Sequence, residues 1–127
     1  MEDRAPVIGV GVDLCEVDRM RAALGRTPSL RARVFTEAER AYCDRRKDPT
    51  ERYAARFAAK EAVMKAMGVG MGACKWREIE VAKAPTGAPS VRLHGGAQQL
   101  ADERGITSWR LTLTHTHRVA QAIAIAL

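Results

Sequence analysis

The sequence has little of what a membrane protein, a disulfide-stapled protein or a base-stacking protein needs. Only 5% of its 127 residues are aromatic, which counts against nucleic-acid binding by stacking. Its three cysteines are widely spaced and contain no Cys-x-x-Cys pair, so neither a disulfide framework nor a zinc site is expected. Every apolar run is far shorter than the roughly 18 residues of a membrane span, and the charged N-terminus does not resemble a signal peptide. We therefore expect a cytoplasmic protein that binds neither membranes nor nucleic acid.

What the sequence does contain is an excess of positive charge in a chain of one-domain length. Lys and Arg number 21 against 15 Asp and Glu, which gives a net charge of +6. The length predicts a single domain over residues 1–127 with a thin core, for which oligomerisation is a common remedy. The stretch from Arg19 to Phe35 has five arginines and no acid. It is either a solvated face or a docking surface for an acidic partner, since arginine favours carboxylate and phosphate contacts.

Apolar periodicity and turn signals predict an α+β fold in which an antiparallel sheet packs with helices. Residues 7–14 alternate as a strand, and the glycines that share a face with Asp13 leave room for something to approach the backbone. The capping box of Thr36 and Glu39 predicts a helix that ends near Asp44. Further helices are expected at 17–25, 51–67 and 98–104, a short turn at 29–34, and further strands at 76–83, 90–93, 109–114 and 119–126.

The helix predicted over residues 51–67, with Thr50 as its cap, carries the most informative charges. At about 100° per residue, Glu61 borders the apolar stripe of this helix and Lys65 lies beside it. An unpaired carboxylate at the edge of a buried stripe is costly, so Glu61 needs Lys65 or a metal as its partner. The simpler interpretation is a surface ion pair between Glu61 and Lys65. A separate basic stripe on the same helix consists of Arg52, Arg56 and Lys60.

Asp13 and His115 each have two interpretations. Asp13 either caps the helix that follows it or pairs with Glu61, because two carboxylates plus substrate phosphates form a typical Mg²⁺ site. His115 lies between the last two predicted strands with His117 close behind. A histidine there is usually exposed, and a metal-binding pair would have no further ligand nearby.

Several segments together resemble the holo-acyl-carrier-protein synthases, which are small members of the 4′-phosphopantetheinyl transferase superfamily. In chain order they are IGVGVDLCEVDRM, RVFTEAE, RFAAKEAVMKAMGVG, EIEV, the Gly-x-Pro of Gly87–Pro89, and LTLTHT. They span nearly the whole chain. The resemblance implies the 4′-phosphopantetheinyl transferase fold and a homotrimer with sites at subunit interfaces. It also implies transfer of phosphopantetheine from coenzyme A to a serine of an apo acyl carrier protein, with release of 3′,5′-ADP.

The resemblance also assigns catalytic roles. Asp13 and Glu61 would ligate a Mg²⁺ that holds the coenzyme A pyrophosphate, and Lys65 would help 3′,5′-ADP depart. The serine proton could be accepted by Glu61, by a metal-bound water or by His115. The remaining implied coenzyme A contacts are Gly68, Thr114 and His115, with one of Arg45, Arg46 and Lys47 for the 3′-phosphate. Arg19 and Arg26 would dock the acidic carrier protein, which could serve fatty-acid or polyketide synthesis.

Two other functions compete with this interpretation. A non-enzymatic nucleic-acid-binding module would follow from charge alone, but the few aromatics and the lack of a recognisable reading motif count against it. The second competing function is that of a homologue that binds coenzyme A without transferring its phosphopantetheine group. The presence of Asp13, Glu61 and Lys65 counts against that function.

Overall fold

The computed structural model describes residues 6–127, and its helices and strands follow the predicted order. The strands are β1 (Gly9–Glu16), β2 (Ile79–Lys83), β3 (Pro89–Leu93), β4 (Trp109–His115) and β5 (Val119–Ala126). The helices are α1 (Val17–Arg26), α2 (Leu30–Val34), α3 (Glu37–Cys43), α4 (Thr50–Ala66) and α5 (Gly95–Glu103). The strands pair antiparallel, so the predicted α+β class is confirmed. Within residues 6–127 no helix is long and apolar enough to cross a membrane.

Three strands form the main sheet in the order β1-β5-β4, and β2 pairs with β3 in a separate ribbon. The register places Asp13 opposite Ala122 and Ala122 opposite Leu113, so these three residues share one face of the main sheet. That face packs against α4. The alanines of β5 on this face are fully buried, and their small size lets the helix lie close to the strands.

Gly9 and Gly11 bring β1 still closer to α4. A Cβ atom added at either residue would lie 1.8 Å from a backbone oxygen of the helix, that of Ala66 for Gly9 and that of Ala62 for Gly11. Backbone atoms in a packed interior cannot give way to such an overlap, so any side chain would push strand and helix apart. The sequence predicts room on the Asp13 face of this strand, and the backbone of α4 fills it.

The opposite face of the main sheet, which we call the open face, is apolar. Val10, Val12 and Leu14 project from it with 55%, 42% and 59% of their surface exposed. Ile123 and Ile125 of β5 lie opposite Val12 and Val10 in the register and extend the patch. A contiguous apolar patch on a protein surface usually marks a contact with another molecule.

Lys60 is fully buried, which corrects the prediction of a basic stripe that includes it. Its ammonium donates to Glu39 Oε1 at 2.8 Å, to the Trp76 carbonyl at 3.2 Å and to the Ile79 carbonyl. The second oxygen of Glu39 accepts from the Val81 N–H at 2.9 Å. Burial lowers the pKa of Lys60, and the charge of Glu39 opposes that shift. A buried charge needs such partners, and this set of contacts ties α4 to α3 and β2.

Several element boundaries differ from the predictions, including the start of α5 at Gly95 and the end of β1 at Glu16. Helix α4 begins at Thr50 itself, and Asp48 accepts from the Thr50 N–H at 3.1 Å and from its hydroxyl at 2.8 Å. The two bonds from Thr50 are the main reason that the pKa of Asp48 is lowered to about 2. Helix α1 continues through Gly25, and the strand predicted over residues 76–83 starts with a 3-10 turn at Trp76–Glu78.

Candidate functional site

Asp13 and Glu61 lie together where β1 passes over α4, and with Lys65 they form what we call the acidic site. Asp13 lies inside β1, and no side chain caps the start of α1, so Asp13 does not serve as a helix cap. The Lys65 ammonium donates to Asp13 Oδ1 at 2.9 Å and to the Val12 carbonyl at 3.2 Å. The ion-pair partner of Lys65 is therefore Asp13 and not Glu61.

The carboxyl group of Glu61 has the most strongly shifted pKa of the acidic site. Burial raises the pKa of its carboxyl to about 7, and both the charge of Asp13 and a hydrogen bond with Asp13 act in the same direction. Lys65 opposes this shift and does not cancel it. A carboxyl that is buried beside a second carboxylate ionises more readily when a further cation binds next to it. The acidic site thus accommodates more positive charge than Lys65 provides.

A cavity of about 450 Å³ opens beside the acidic site. Asp13 and Glu61 line it together with Arg19 of α1 and Phe57 of α4. Cys15 also lines it, and burial raises the pKa of that thiol to about 11, so the thiol is neutral at physiological pH. The three cysteines of the chain are free, as the sequence predicts.

The arginines of the acid-free stretch differ in what they contact. Arg19 and Arg26 are exposed on α1, and Arg19 reaches the cavity beside the acidic site. Arg21 instead pairs with Asp18 at 2.8 Å and with Asp48 at 2.9 Å. Part of the stretch is therefore a docking candidate and part is a solvated, internally paired face.

A second cavity of about 230 Å³, which we call the basic pocket, lies at the N-terminal half of α4. Among the residues that the structure describes, its lining contains no carboxylate. The residues that line it are Tyr42, Arg46, Arg52, Ala55, Arg56, Lys83, Gly87, Pro89, Leu113 and His115. Its four Arg and Lys side chains repel one another with no carboxylate among the described lining residues, so this pocket is suited to an anion.

Arg56 is the deepest cation of the basic pocket, with 6% of its surface exposed. Its Nε atom has no hydrogen-bond partner among residues 6–127, and its Nη1 makes only a long contact of 3.5 Å with the Arg52 carbonyl. Arg52 itself donates to the Tyr42 carbonyl at 2.8 Å. A buried and incompletely bonded guanidinium is unusual in a folded protein, and a bound anion would satisfy it.

His115 borders the basic pocket at the end of β4. Its Nδ1 lies 2.8 Å from Glu51 Oε1, and Nδ1 of His117 lies 3.2 Å from the other oxygen. The hydrogen bond from His117 is the largest cause of a lowered pKa for Glu51. Glu51 thus fixes the His115 ring from one side and leaves its Nε2 for another partner.

The other predicted coenzyme contacts are distributed around these two regions. Gly68 ends α4 with φ at 74°, a conformation that favours glycine, and the space around it is open. Arg46 lines the basic pocket, whereas Lys47 of the same loop does not. Thr114 lies on the open face of the sheet, because it alternates with His115 along β4. Thr114 and His115 of one protomer therefore cannot line the same pocket.

The acidic site and the basic pocket lie on different flanks of α4. Arg56 and Glu61 are separated by about 140° around the helix, at 3.6 residues per turn. Asp13 belongs to β1 and His115 to β4, which are the two outer strands of the main sheet. Those strands are about 10 Å apart with β5 between them. Helix α4 therefore stands between the two regions within one protomer.

Sequence reasoning noted Arg52 and Arg56 only as a basic stripe without a function, and it missed Tyr42 and Lys83 of the basic pocket altogether. Tyr42 and Lys83 come from α3 and β2, and nothing in their local sequence links them to α4. The spacing of Arg52 and Arg56 was the available signal, because residues four apart share a helix face.

The chain is similar to known proteins over nearly its whole length. The family model described as the 4′-phosphopantetheinyl transferase superfamily matches residues 9–124. A curated relative, the holo-[acyl-carrier-protein] synthase of Moorella thermoacetica, is 47% identical over 119 residues, which cover 94% of this chain and 93% of that protein. The crystal structure of the Neisseria meningitidis synthase superposes with a TM-score of 0.86 at 27% identity, covering 96% of this chain and 99% of that one. The Helicobacter pylori synthase in complex with coenzyme A gives 0.82 at 27% identity, with 93% and 99% covered.

Proposed function

This chain belongs to the 4′-phosphopantetheinyl transferase superfamily, and on that premise we propose that it transfers phosphopantetheine from coenzyme A to a serine of an apo acyl carrier protein. It is an enzyme of the holo-[acyl-carrier-protein] synthase type. The observation that carries the proposed mechanism is the acidic site, where Lys65 meets Asp13 beside a carboxyl of raised pKa. In the reaction the serine oxygen forms a bond to the β-phosphorus of coenzyme A, and the pyrophosphate bond to 3′,5′-ADP breaks.

The acidic site fits Mg²⁺. Its two carboxylates are hard oxygen ligands that lie close enough for Asp13 to raise the pKa of Glu61, and Lys65 pairs with Asp13. Within residues 6–127 no group of three or more Asp, Glu, His or Cys side chains is placed to hold a metal. Asp13 and Glu61 would therefore share the ion with substrate phosphates and water, as is usual for Mg²⁺. When bound, the ion would supply positive charge at the pyrophosphate.

Lys65 and Glu61 supply the remaining chemistry from this chain. The Lys65 ammonium, held by Asp13 and exposed on its other side, can neutralise charge that develops on the departing 3′,5′-ADP. Glu61 lines the cavity beside the acidic site, which makes its carboxylate our proposed acceptor of the serine proton. Within one protomer, His115 lies on the other flank of α4, where its Nδ1 contacts Glu51 and its ring lines the basic pocket.

The basic pocket is the proposed site of the coenzyme 3′-phosphate. Arg56 offers a buried guanidinium with an unpaired Nε, and Arg46 and His115 line the rim. Guanidinium groups bind phosphate in forked geometry, so this pocket complements a phosphate dianion. Of the three loop residues predicted for this role, Arg45, Arg46 and Lys47, only Arg46 lines the pocket, so we assign the role to it.

We also infer that a complete site needs two copies of the chain. Coenzyme A would have to reach both the acidic site and the basic pocket, and α4 stands between them in one protomer. The open face of the sheet, with Val10, Val12 and Leu14 exposed, offers an apolar surface for a neighbouring copy. A closed trimer would place the acidic site of one copy against the basic pocket of the next.

Arg19 and Arg26 are the proposed docking residues for the acidic carrier protein. Replacing either by alanine is expected to raise KM for the carrier about fivefold and to leave KM for coenzyme A unchanged, because rim charges act mainly on association with the partner that they face. Arg21→Ala is a matched control, since the Arg21 guanidinium is already paired with Asp18 and Asp48. Equal effects on both substrates would refute the docking role.

Mass spectrometry of the carrier tests the proposed function directly. The protein is incubated with coenzyme A, Mg²⁺ and an apo carrier protein, and the carrier should gain one phosphopantetheine group. A carrier with alanine in place of its acceptor serine should gain nothing, and a chelator should stop the reaction. Binding of coenzyme A without any mass gain would overturn the transferase assignment.

A further inference from the structure

Tyr42 of α3 contacts three cations of the basic pocket at once. The guanidinium carbons of Arg52 and Arg56 lie 4.1 Å and 4.2 Å from the centroid of its ring, and the Lys83 ammonium lies 4.4 Å from it. Arg52 and Arg56 come from α4 and Lys83 from the end of β2. One aromatic ring therefore gathers charges from two elements other than its own.

The arrangement leaves the charge of these cations available. An aromatic face attracts a cation through its quadrupole and carries no formal charge, whereas a carboxylate partner would neutralise the cation and occupy its donors. No carboxylate is among the described residues that line the pocket. Burial by itself raises the pKa of Tyr42, but the nearby cations Lys83, Arg52 and Arg56 outweigh it and lower the pKa. The electrostatic potential at the Tyr42 hydroxyl is therefore positive.

We propose that Tyr42 is a positioning residue that holds Arg52, Arg56 and Lys83 ready for the 3′-phosphate of coenzyme A. The inference rests on the proposed function of the basic pocket and adds how the pocket is kept organised. Without the ring, the three mutually repelling cations would spread toward solvent, and phosphate binding would have to draw them together again. Preorganisation of this kind affects affinity for the ligand and not the chemical step.

The test compares coenzyme A with dephospho-coenzyme A, which lacks the 3′-phosphate, as substrates of Tyr42→Leu and Tyr42→Phe. Tyr42→Leu should raise KM for coenzyme A about tenfold with kcat nearly unchanged, a loss of about 1.4 kcal/mol. Its KM for dephospho-coenzyme A should match that of the wild type, which also shows that the variant is folded. Tyr42→Phe keeps the ring and should retain the preference for coenzyme A. Loss of that preference in Tyr42→Phe would assign the effect to the hydroxyl and overturn the proposal.

A second measurement separates electrostatics from packing. Pentafluorophenylalanine at position 42 keeps the shape of phenylalanine but reverses the sign of the ring quadrupole. It should raise KM for coenzyme A relative to Tyr42→Phe, and an unchanged KM would reduce Tyr42 to a packing residue. If the wild type uses both substrates equally well, the 3′-phosphate does not occupy the basic pocket and the proposed assignment fails with the inference. If the wild type discriminates and Tyr42→Leu discriminates equally, only the inference fails.

Discussion

The acidic site and the basic pocket are built from the same helix and solve opposite electrostatic problems. In the acidic site, two carboxylates are pressed together by backbone packing of β1 on α4, and one lysine compensates part of their charge. In the basic pocket, several cations contact one aromatic ring, and the described residues that line the pocket include no carboxylate. The acidic site therefore carries excess negative charge, and the basic pocket carries excess positive charge. Because α4 keeps them apart, a ligand with both a metal-bound pyrophosphate and a distant phosphate is what would join them across two copies.

The acidic site is the region where substitution should have the largest effect. Asp13→Ala and Glu61→Ala are each expected to reduce kcat/KM for carrier modification by about a thousandfold, since both would remove electrostatic stabilisation of the transferring phosphoryl group. Excess Mg²⁺ should not restore activity. Glu103→Ala, an exposed carboxylate on α5, is the control. Near-wild-type rates in both acidic-site variants, with thermal unfolding as the fold check, would remove the metal assignment.

Mixing two defective variants tests whether the two regions act across copies. Asp13→Ala lacks the acidic site, and Arg56→Ala lacks a central cation of the basic pocket. If each site takes one region from each of two neighbours, random reassembly restores about a quarter of the sites, because half of the chains keep each region. Activity is measured at low coenzyme A after mild unfolding and refolding of the mixture. A mixture no more active than the average of its separately refolded components would contradict the shared site.

The basic pocket should act on coenzyme affinity alone. Arg56→Met is expected to raise KM for coenzyme A by about tenfold to a hundredfold, the effect of losing charged hydrogen bonds worth about 1.5–3 kcal/mol. KM for dephospho-coenzyme A should not change. Arg92→Met, on the exposed side of β3, serves as the matched arginine control. A fall in kcat with both substrates would move Arg56 from binding to chemistry and erase the contrast between the two regions.

The start of α4 offers the smallest effect, through Asp48. Asp48→Ala should lower the free energy of unfolding by about 1 kcal/mol at neutral pH, because it removes the acceptor for the Thr50 N–H. The pKa of Asp48 is lowered from 3.8 to about 2 in the folded protein, so its contribution is present above pH 3.8 and is lost as the pH falls toward 2. The difference in unfolding free energy between Asp48→Ala and the wild type, measured by urea unfolding, should therefore fall toward zero as the pH falls from 3.8 to about 2. A difference that is constant from pH 7 to pH 2 would show that ionised Asp48 is not the cause.

Local signals predicted what short segments of chain determine by themselves. The Thr36 capping box, the hairpin that contains His115 and the adjacency of Lys65 to Asp13 and Glu61 all follow from spacing or from a resemblance carried by short motifs. The fate of Lys60 could not be predicted that way. Its sequence position continues the basic stripe of Arg52 and Arg56, and only α3 and β2, brought against α4 by the tertiary fold, place it in a buried ion pair with Glu39. Tyr42 was missed for the same reason, since its cationic partners lie on other elements.

Gly9 and Gly11 have a consequence that is best expressed genetically. Every missense change in a glycine codon adds at least a Cβ atom, and at these two positions that atom would meet a backbone oxygen of α4 at 1.8 Å. An allele with alanine at position 11 would retain all the side chains proposed for catalysis and still displace Glu61 from Asp13. In a screen for function it would score with the active-site alleles, although it alters no group that touches a substrate. Gly9 and Gly11 are therefore required for the geometry of the proposed active site, although neither has a side chain that could contact a substrate.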